Sequence, residues 1–150
     1  MQKIDITIAR LRLLLADITA KEQQYTGARH QFREQLRRAI EYSLYGDSSL
    51  EASLGSMAEI QQRIAAAEGS LRDLGLIRAR AERELESLQL TKRIEAAKAE
   101  LQELMARQLK LEQAGAPGTD GVERLGARIR ELRQQINEAS EQAARTLGKR

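Results

Sequence analysis

The chain has 150 residues, and its 25 basic and 22 acidic side chains leave a formal net charge of only +3. It has no cysteine and one histidine, which excludes disulfides and leaves too few ligands for a histidine or thiolate metal site within one chain. Neither a run of roughly 18 apolar residues, as a membrane span requires, nor a signal-peptide pattern is present. We therefore expect a cytoplasmic helical protein without a cofactor.

The first predicted element is a helix at about 2–45. Its mostly apolar stripe residues recur at alternating steps of three and four, as in the heptad stripe of a coiled coil. This stripe comprises Ile4, Ile8, Leu11, Leu15, Ile18, Glu22, Tyr25, Arg29, Phe32 and Leu36. Ile4, Ile6 and Ile8 also alternate as in a β-strand, but no second strand-like segment could pair with them, so a helix is favoured.

A turn at 46–49 precedes a second helix at about 49–114, and Ser48 with Glu51 forms a capping-box pattern at its start. A heptad stripe runs through Met57, Ile60, Ile64, Ala67, Leu71, Leu74, Arg78, Ala81, Leu85 and Leu88. Another follows at Leu90, Ile94, Ala97, Leu101, Leu104, Gln108 and Leu111. Between the two stripes the frame shifts by about half a turn, so we infer one partner helix on each side.

A third helix is predicted at about 121–147, after a turn at 115–121 that contains the only proline, Pro117. Asp120 with Glu123 is a similar capping signature. The turn is rich in glycine but lacks the Lys-Ser/Thr pair of a phosphate-binding loop, so we interpret it as a plain connection. The third stripe comprises Val122, Leu125, Ile129, Leu132, Ile136, Ala139 and Ala143.

Together the stripes predict an all-α fold of three helices in an elongated antiparallel coiled coil. Two hairpins share the long central helix, in a register that places Leu36 opposite Ile60 and Leu101 opposite Leu132. The whole chain, 1–150, is expected to be one domain. If Gly69-Ser70 and Gly75 break the central helix, a compact four-helix bundle becomes the better description.

Two polar residues, Glu22 and Arg78, interrupt facing stripes one layer apart. Polar residues inside a coiled-coil stripe specify register at some cost in stability. We therefore predict a diagonal ion pair that fixes the register of the first hairpin. A functional role for the pair is the alternative.

An arginine cluster surrounds His30 on the first helix and consists of Arg29, Arg33, Arg37 and Arg38. Steps of four place three of these residues along one helix face. They are candidates for docking a phosphate or an acidic protein surface. The alternative is a solvated flank whose glutamates come from the neighbouring helix.

The turn between the first two helices is unusually apolar. Five candidate partner-binding residues form what we call the tip surface: Tyr42, Leu44, Tyr45, Leu50 and Leu54. Contiguous exposed apolar side chains mark interaction sites. The alternative is that these residues close the end of the core.

A further stripe lies on the side of the first helix that faces away from the second. This outer face comprises Ile6, Ala9, Leu13, Ala16 and Ala20. A two-helix hairpin does not need it, so we expect it to pack on a second copy of the chain in a dimer. The alternatives are that this face packs against the third helix or against a lipid surface.

No motif for nucleotide, metal or nucleophilic chemistry is present, so we expect a protein that is not an enzyme. The pattern favours a coiled-coil scaffold or adaptor that binds a protein partner and self-associates. A helical protein that binds nucleic acid or an anionic membrane through its arginines is the first alternative. In outline the long hairpin also resembles the stalk subunits of rotary and secretion ATPases, although no motif carries this likeness.

Overall fold

The computed structural model describes residues 2–46, 49–115 and 120–148. In these ranges the chain forms three α-helices, α1 (Lys3–Tyr45), α2 (Leu50–Gln113) and α3 (Asp120–Gly148). α1 contacts α2, and α2 contacts α3, in an antiparallel arrangement. The predicted all-α fold of two hairpins with a shared central helix is confirmed, and every helix bound lies within one residue of its prediction.

The central helix is continuous, and the four-helix bundle considered above is therefore wrong. α2 spans 64 residues and passes through Gly69, Ser70 and Gly75 without a break. A glycine inside a helix costs about 1 kcal/mol relative to alanine. The apolar stripe continues in phase on both sides, with Ala67 buried and Leu71 partly buried. Burial of the stripe outweighs the cost of the glycines.

The predicted stripes are the covered faces of the helices. Every stripe residue is buried or partly buried except Leu111, near the end of α2, which is exposed. The buried apolar side chains of the described residues are Ile8, Ile18, Ala67, Ala81, Leu90, Ile129 and Leu132. Most other stripe residues are partly buried, because a stripe that packs against one partner helix keeps its edges in contact with water.

The contacts group into two compact units, one with the residues up to Ile8 and from Arg83 onward, the other Ala9–Glu82. Within the second unit, Arg33 bonds Glu68 and Glu22 bonds Arg78. Positions on α2 therefore rise as those on α1 fall, as antiparallel packing requires. The expectations of a single domain, and of α1 and α3 on opposite sides of α2, stay predictions.

In the first unit, ion pairs join α2 to both neighbouring helices. Lys92 Nζ donates to Asp5 Oδ1 at 2.5 Å, and this hydrogen bond is the main reason that the pKa of the Asp5 carboxyl is lowered. Arg128 on α3 donates to Glu100 at 3.1 Å and to Glu131 at 3.0 Å. All these side chains are partly in contact with water, so each pair stabilises the fold only weakly.

The helix ends are closed by local hydrogen bonds. Ser49 Oγ accepts a hydrogen bond from the Ala52 backbone N–H at 3.2 Å, which makes Ser49 the N-cap of α2. Ser48 of the predicted capping box and the side chain of Asp120 lie outside the described residues. At the other end of α2, Gly115 has φ 63°, the left-handed conformation that favours glycine after a helix.

Glu22 and Arg78 form the predicted ion pair between the stripes of α1 and α2. Arg78 Nε donates to Glu22 Oε1 at 2.8 Å, and its Nη2 also donates to Glu22 and to Thr19 Oγ1. The hydrogen bond to Glu22 is the main cause of the raised pKa of the Arg78 guanidinium. Both side chains are partly buried, so each satisfies the other where water is restricted.

Removing one member of this pair is expected to destabilise the fold more than removing both. Glu22→Leu removes the carboxylate that bonds Arg78 from the facing helix and leaves only Glu82 on α2, at 3.6 Å. It should therefore lower the urea midpoint. Glu22→Leu/Arg78→Leu should return the midpoint to the wild-type value or above, because apolar residues suit a stripe position.

Glu103→Leu is the control, since Glu103 pairs with Arg107 on the exposed surface of α2 and contributes little. A double variant as unstable as Glu22→Leu would contradict this account of the pair.

Candidate docking surface

The five residues of the tip surface are all exposed. Their exposed fractions are 60% for Tyr42, 70% for Leu44, 87% for Tyr45, 72% for Leu50 and 55% for Leu54. They occupy the last turn of α1 and the first turns of α2, on the two sides of the connection at 46–49. The apolar residues near the turn do not close the core end, and they face water instead.

Small polar residues take the covered positions at the same end of the hairpin. Ser53 is buried and Ser43 is partly buried, and they continue the stripes of α2 and α1. The predicted register places them opposite each other. Ser43 Oγ donates to the Ala39 carbonyl at 2.8 Å, which satisfies its hydroxyl within the helix. The usual pattern is thus reversed here, with small polar side chains inside and large apolar ones outside.

Tyr42 packs closely on Gly46. The Gly46 N–H donates to the Tyr42 carbonyl at 2.7 Å. A Cβ atom added at Gly46 would lie 2.5 Å from that carbonyl oxygen and 2.9 Å from the Tyr42 ring. Glycine is therefore required at this position by space, and the contact holds the aromatic ring against the end of α1.

Alanine at Gly46 is expected to destabilise the hairpin by about 1–3 kcal/mol, because the carbonyl and the ring must move to admit the new methyl group. Gly55→Ala is the matched control, since nothing lies within 4 Å of a Cβ at this position in α2. That substitution should stabilise the fold by up to about 1 kcal/mol. Urea denaturation followed by circular dichroism measures both changes, and equal signs would refute the packing argument.

The outer face of α1 is exposed in the part of the chain that the structure describes. Ile6, Ala9, Leu13, Ala16 and Ala20 are all exposed, and Leu13 is 68% exposed. Sequence reasoning did not single out several other exposed apolar residues, namely Leu14, Ile40, Leu76, Ile77, Met105 and Leu109. Leu14 and Ile77 each directly precede a stripe residue. An apolar residue beside the stripe was therefore the sequence signal that could have identified them.

The arginine cluster is largely engaged by glutamates. Arg33 bonds Glu68 of α2 at 3.0 Å, and Arg37 bonds Glu34 at 3.1 Å and Glu41 at 2.6 Å. The hydrogen bond from Arg37 lowers the pKa of the Glu34 carboxyl and raises that of the Arg37 guanidinium.

The other members of the cluster differ in exposure. Arg29 is partly buried in the α1 stripe, whereas Arg38 and His30 are exposed. Anion docking by the cluster stays a prediction, and the ion pairs oppose it by neutralising Arg33 and Arg37.

An open groove of about 440 Å³ runs between α2 and α3 in the first unit. Its floor consists of stripe residues such as Leu90, Ile94 and Ile136, and its rim includes Glu100, which Arg128 already binds. A ligand pocket usually encloses its ligand and presents convergent polar groups. This groove is instead the edge of a two-helix contact, and it offers no such arrangement.

Within the described parts of the chain, no group of three or more His, Cys, Asp or Glu side chains is positioned to hold a metal ion. The described helices also lack a stretch long and apolar enough to cross a membrane.

Comparisons of the chain with protein-family models, with curated proteins and with solved structures found no match. The geometry of the chain's own surfaces therefore carries the functional argument.

Proposed function

We propose that this protein is a non-enzymatic coiled-coil adaptor of the cytoplasm that binds a protein partner through its tip surface. The observation that carries this proposal is the reversed pattern at the turn, where five large apolar side chains face water and Ser53 is buried. Exposing these side chains costs free energy in the isolated chain, and a partner that covers them regains it. Tyrosine and leucine supply large apolar contact areas in interfaces.

The second part of the proposal is self-association through the outer face of α1. An apolar stripe at helical spacing that no part of its own hairpin covers supports this role. A second copy of the chain has an identical stripe, so a two-fold symmetric dimer would cover the outer face of α1 in both copies.

The pull-down described below also tests two alternative functions. Binding of nucleic acid or an anionic membrane would use exposed arginines, among them Arg38 on α1 and Arg124 and Arg130 on α3. A stalk-like subunit of an ATPase or secretion assembly is the second alternative, because the long hairpin resembles such subunits in outline.

A pull-down of the tagged chain from source lysate, with and without nuclease, tests the docking role. Wild type is compared with Tyr45→Ala/Leu50→Ala, and Leu76→Ala/Leu109→Ala serves as the control because both leucines are exposed elsewhere on α2. We expect a specific protein that survives nuclease, is lost with the tip variant and is retained by the control. Retained helicity in circular dichroism shows that the variants are folded.

Other outcomes identify the alternatives. Proteins that disappear after nuclease treatment, together with recovered nucleic acid, would replace docking with binding through the basic surface. Recovery of ATPase subunits through the tip would assign the chain to a stalk. A tip variant that captures the same proteins as wild type would overturn the docking role.

Leu13→Glu is expected to convert the dimer to a monomer, because it places a charge in the centre of the outer face. Leu76→Glu is the matched control, with a similar exposure of 71% against 68% for Leu13. Sedimentation equilibrium gives the mass of each. A monomeric wild type, or equal dissociation by both substitutions, would contradict self-association through α1.

A further inference from the structure

The tip surface lies in a segment whose charge differs from that of the whole chain. From residue 39 to residue 62 there are 24 residues without lysine or arginine, the longest such run in a chain with 25 basic residues. The same run contains four acidic residues, Glu41, Asp47, Glu51 and Glu59. Its formal charge is therefore −4, while that of the whole chain is +3.

Two of these acids are exposed in the first part of α2. Glu51 follows Leu50 in the first turn of α2, and Glu59 lies two turns further along. Neither forms an ion pair with a described residue. Glu41 differs, because its carboxylate accepts a hydrogen bond from Arg37 at 2.6 Å, and Asp47 lies outside the described residues. Glu51 thus places negative charge directly beside Leu50, and Glu59 adds a second carboxylate further along α2.

The negative charge near the tip surface favours some classes of binding partner over others. Nucleic acids and anionic membranes carry phosphate, which an acidic rim repels at short range. A basic protein surface is attracted by the same rim, and complementary charge raises its association rate and excludes acidic competitors. The exposed tyrosines and leucines require in addition that the occupant be apolar at its centre.

We infer that the tip surface binds a protein surface in which apolar side chains are bordered by lysine and arginine. This inference rests on the proposed docking role of the tip and states the chemistry of the partner. The apolar contact supplies most of the affinity, and the acids beside it supply the preference for a basic partner.

Two fluorescent peptides of equal length test the inference. Both carry leucines at the i, i+3, i+4, i+7 spacing of an amphipathic helix, and the remaining positions are lysine in one and glutamate in the other. Anisotropy titrations at low salt use the full chain as wild type, Tyr45→Ala/Leu50→Ala and Glu51→Gln/Glu59→Gln. The control is Glu95→Gln/Glu112→Gln, which removes the same charge from two exposed positions elsewhere on α2.

We expect the lysine peptide to bind and the glutamate peptide not to bind. Glu51→Gln/Glu59→Gln should weaken binding by roughly threefold to tenfold, the effect of two exposed ion pairs. Tyr45→Ala/Leu50→Ala should abolish it, and the control should match wild type. The inference is overturned by absent binding of the lysine peptide, by equal binding of both peptides, or by equal effects of the two charge variants.

Phosphate-bearing probes and the lysate capture complete the test. Binding of a DNA duplex or of phosphatidylserine vesicles that depends on Tyr45 and Leu50 would also overturn the inference. A lysate partner that is lost with Tyr45→Ala/Leu50→Ala but captured equally by Glu51→Gln/Glu59→Gln would leave docking intact and refute a basic partner. A partner unaffected by either variant refutes docking itself.

Discussion

Burial of the stripes on α2 is the interaction on which the structure depends, because both hairpins use this helix. Each stripe meets one partner helix, so the apolar contact is a line of side chains with water at both edges. Helices in folded proteins derive most of their stability from such packing rather than from intrinsic propensity. The ion pairs at the edges, such as Arg33 with Glu68 and Arg128 with Glu100, add little to it. Stability is therefore spread thinly along the whole length of α2.

A line of similar apolar side chains does not select one register by itself, since sliding one helix by a heptad restores much of the contact. Glu22 and Arg78 resolve this ambiguity in the first hairpin, because a slipped register would separate these two partly buried, opposite charges. Thr19 contributes by accepting a hydrogen bond from Arg78 while donating to the Leu15 carbonyl. The polar residues of the stripe specify which layers meet, and the apolar ones stabilise the result.

Much of this architecture could be predicted from periodicity, because a two-helix contact follows the heptad pattern directly. The helix bounds, the covered faces and the Glu22–Arg78 pair were all accessible in this way. The exposure of the tip surface could not be predicted in this way. Tyr42, Leu44 and Leu50 can close the core or face water, depending on which residues occupy the covered positions nearest the turn. Ser43 and Ser53 occupy these covered positions, so the larger neighbouring side chains lie at exposed positions. For the arginine cluster, the alternative of glutamates from the neighbouring helix describes Arg33, which bonds Glu68, whereas Arg37 is engaged within α1 by Glu34 and Glu41.

The hairpin of α1 and α2 also has a simple order of closure. Its cross-helix contacts are nested, with sequence separations of 35 for Arg33 and Glu68, 56 for Glu22 and Arg78, and 87 for Asp5 and Lys92. The entropy lost on closing a loop grows with its length, but each contact that has already formed shortens the loop that the next must close. Loop entropy alone therefore favours closure from the connection at 46–49 towards Asp5. On this ground the tip surface belongs to the part of the hairpin whose closure costs least.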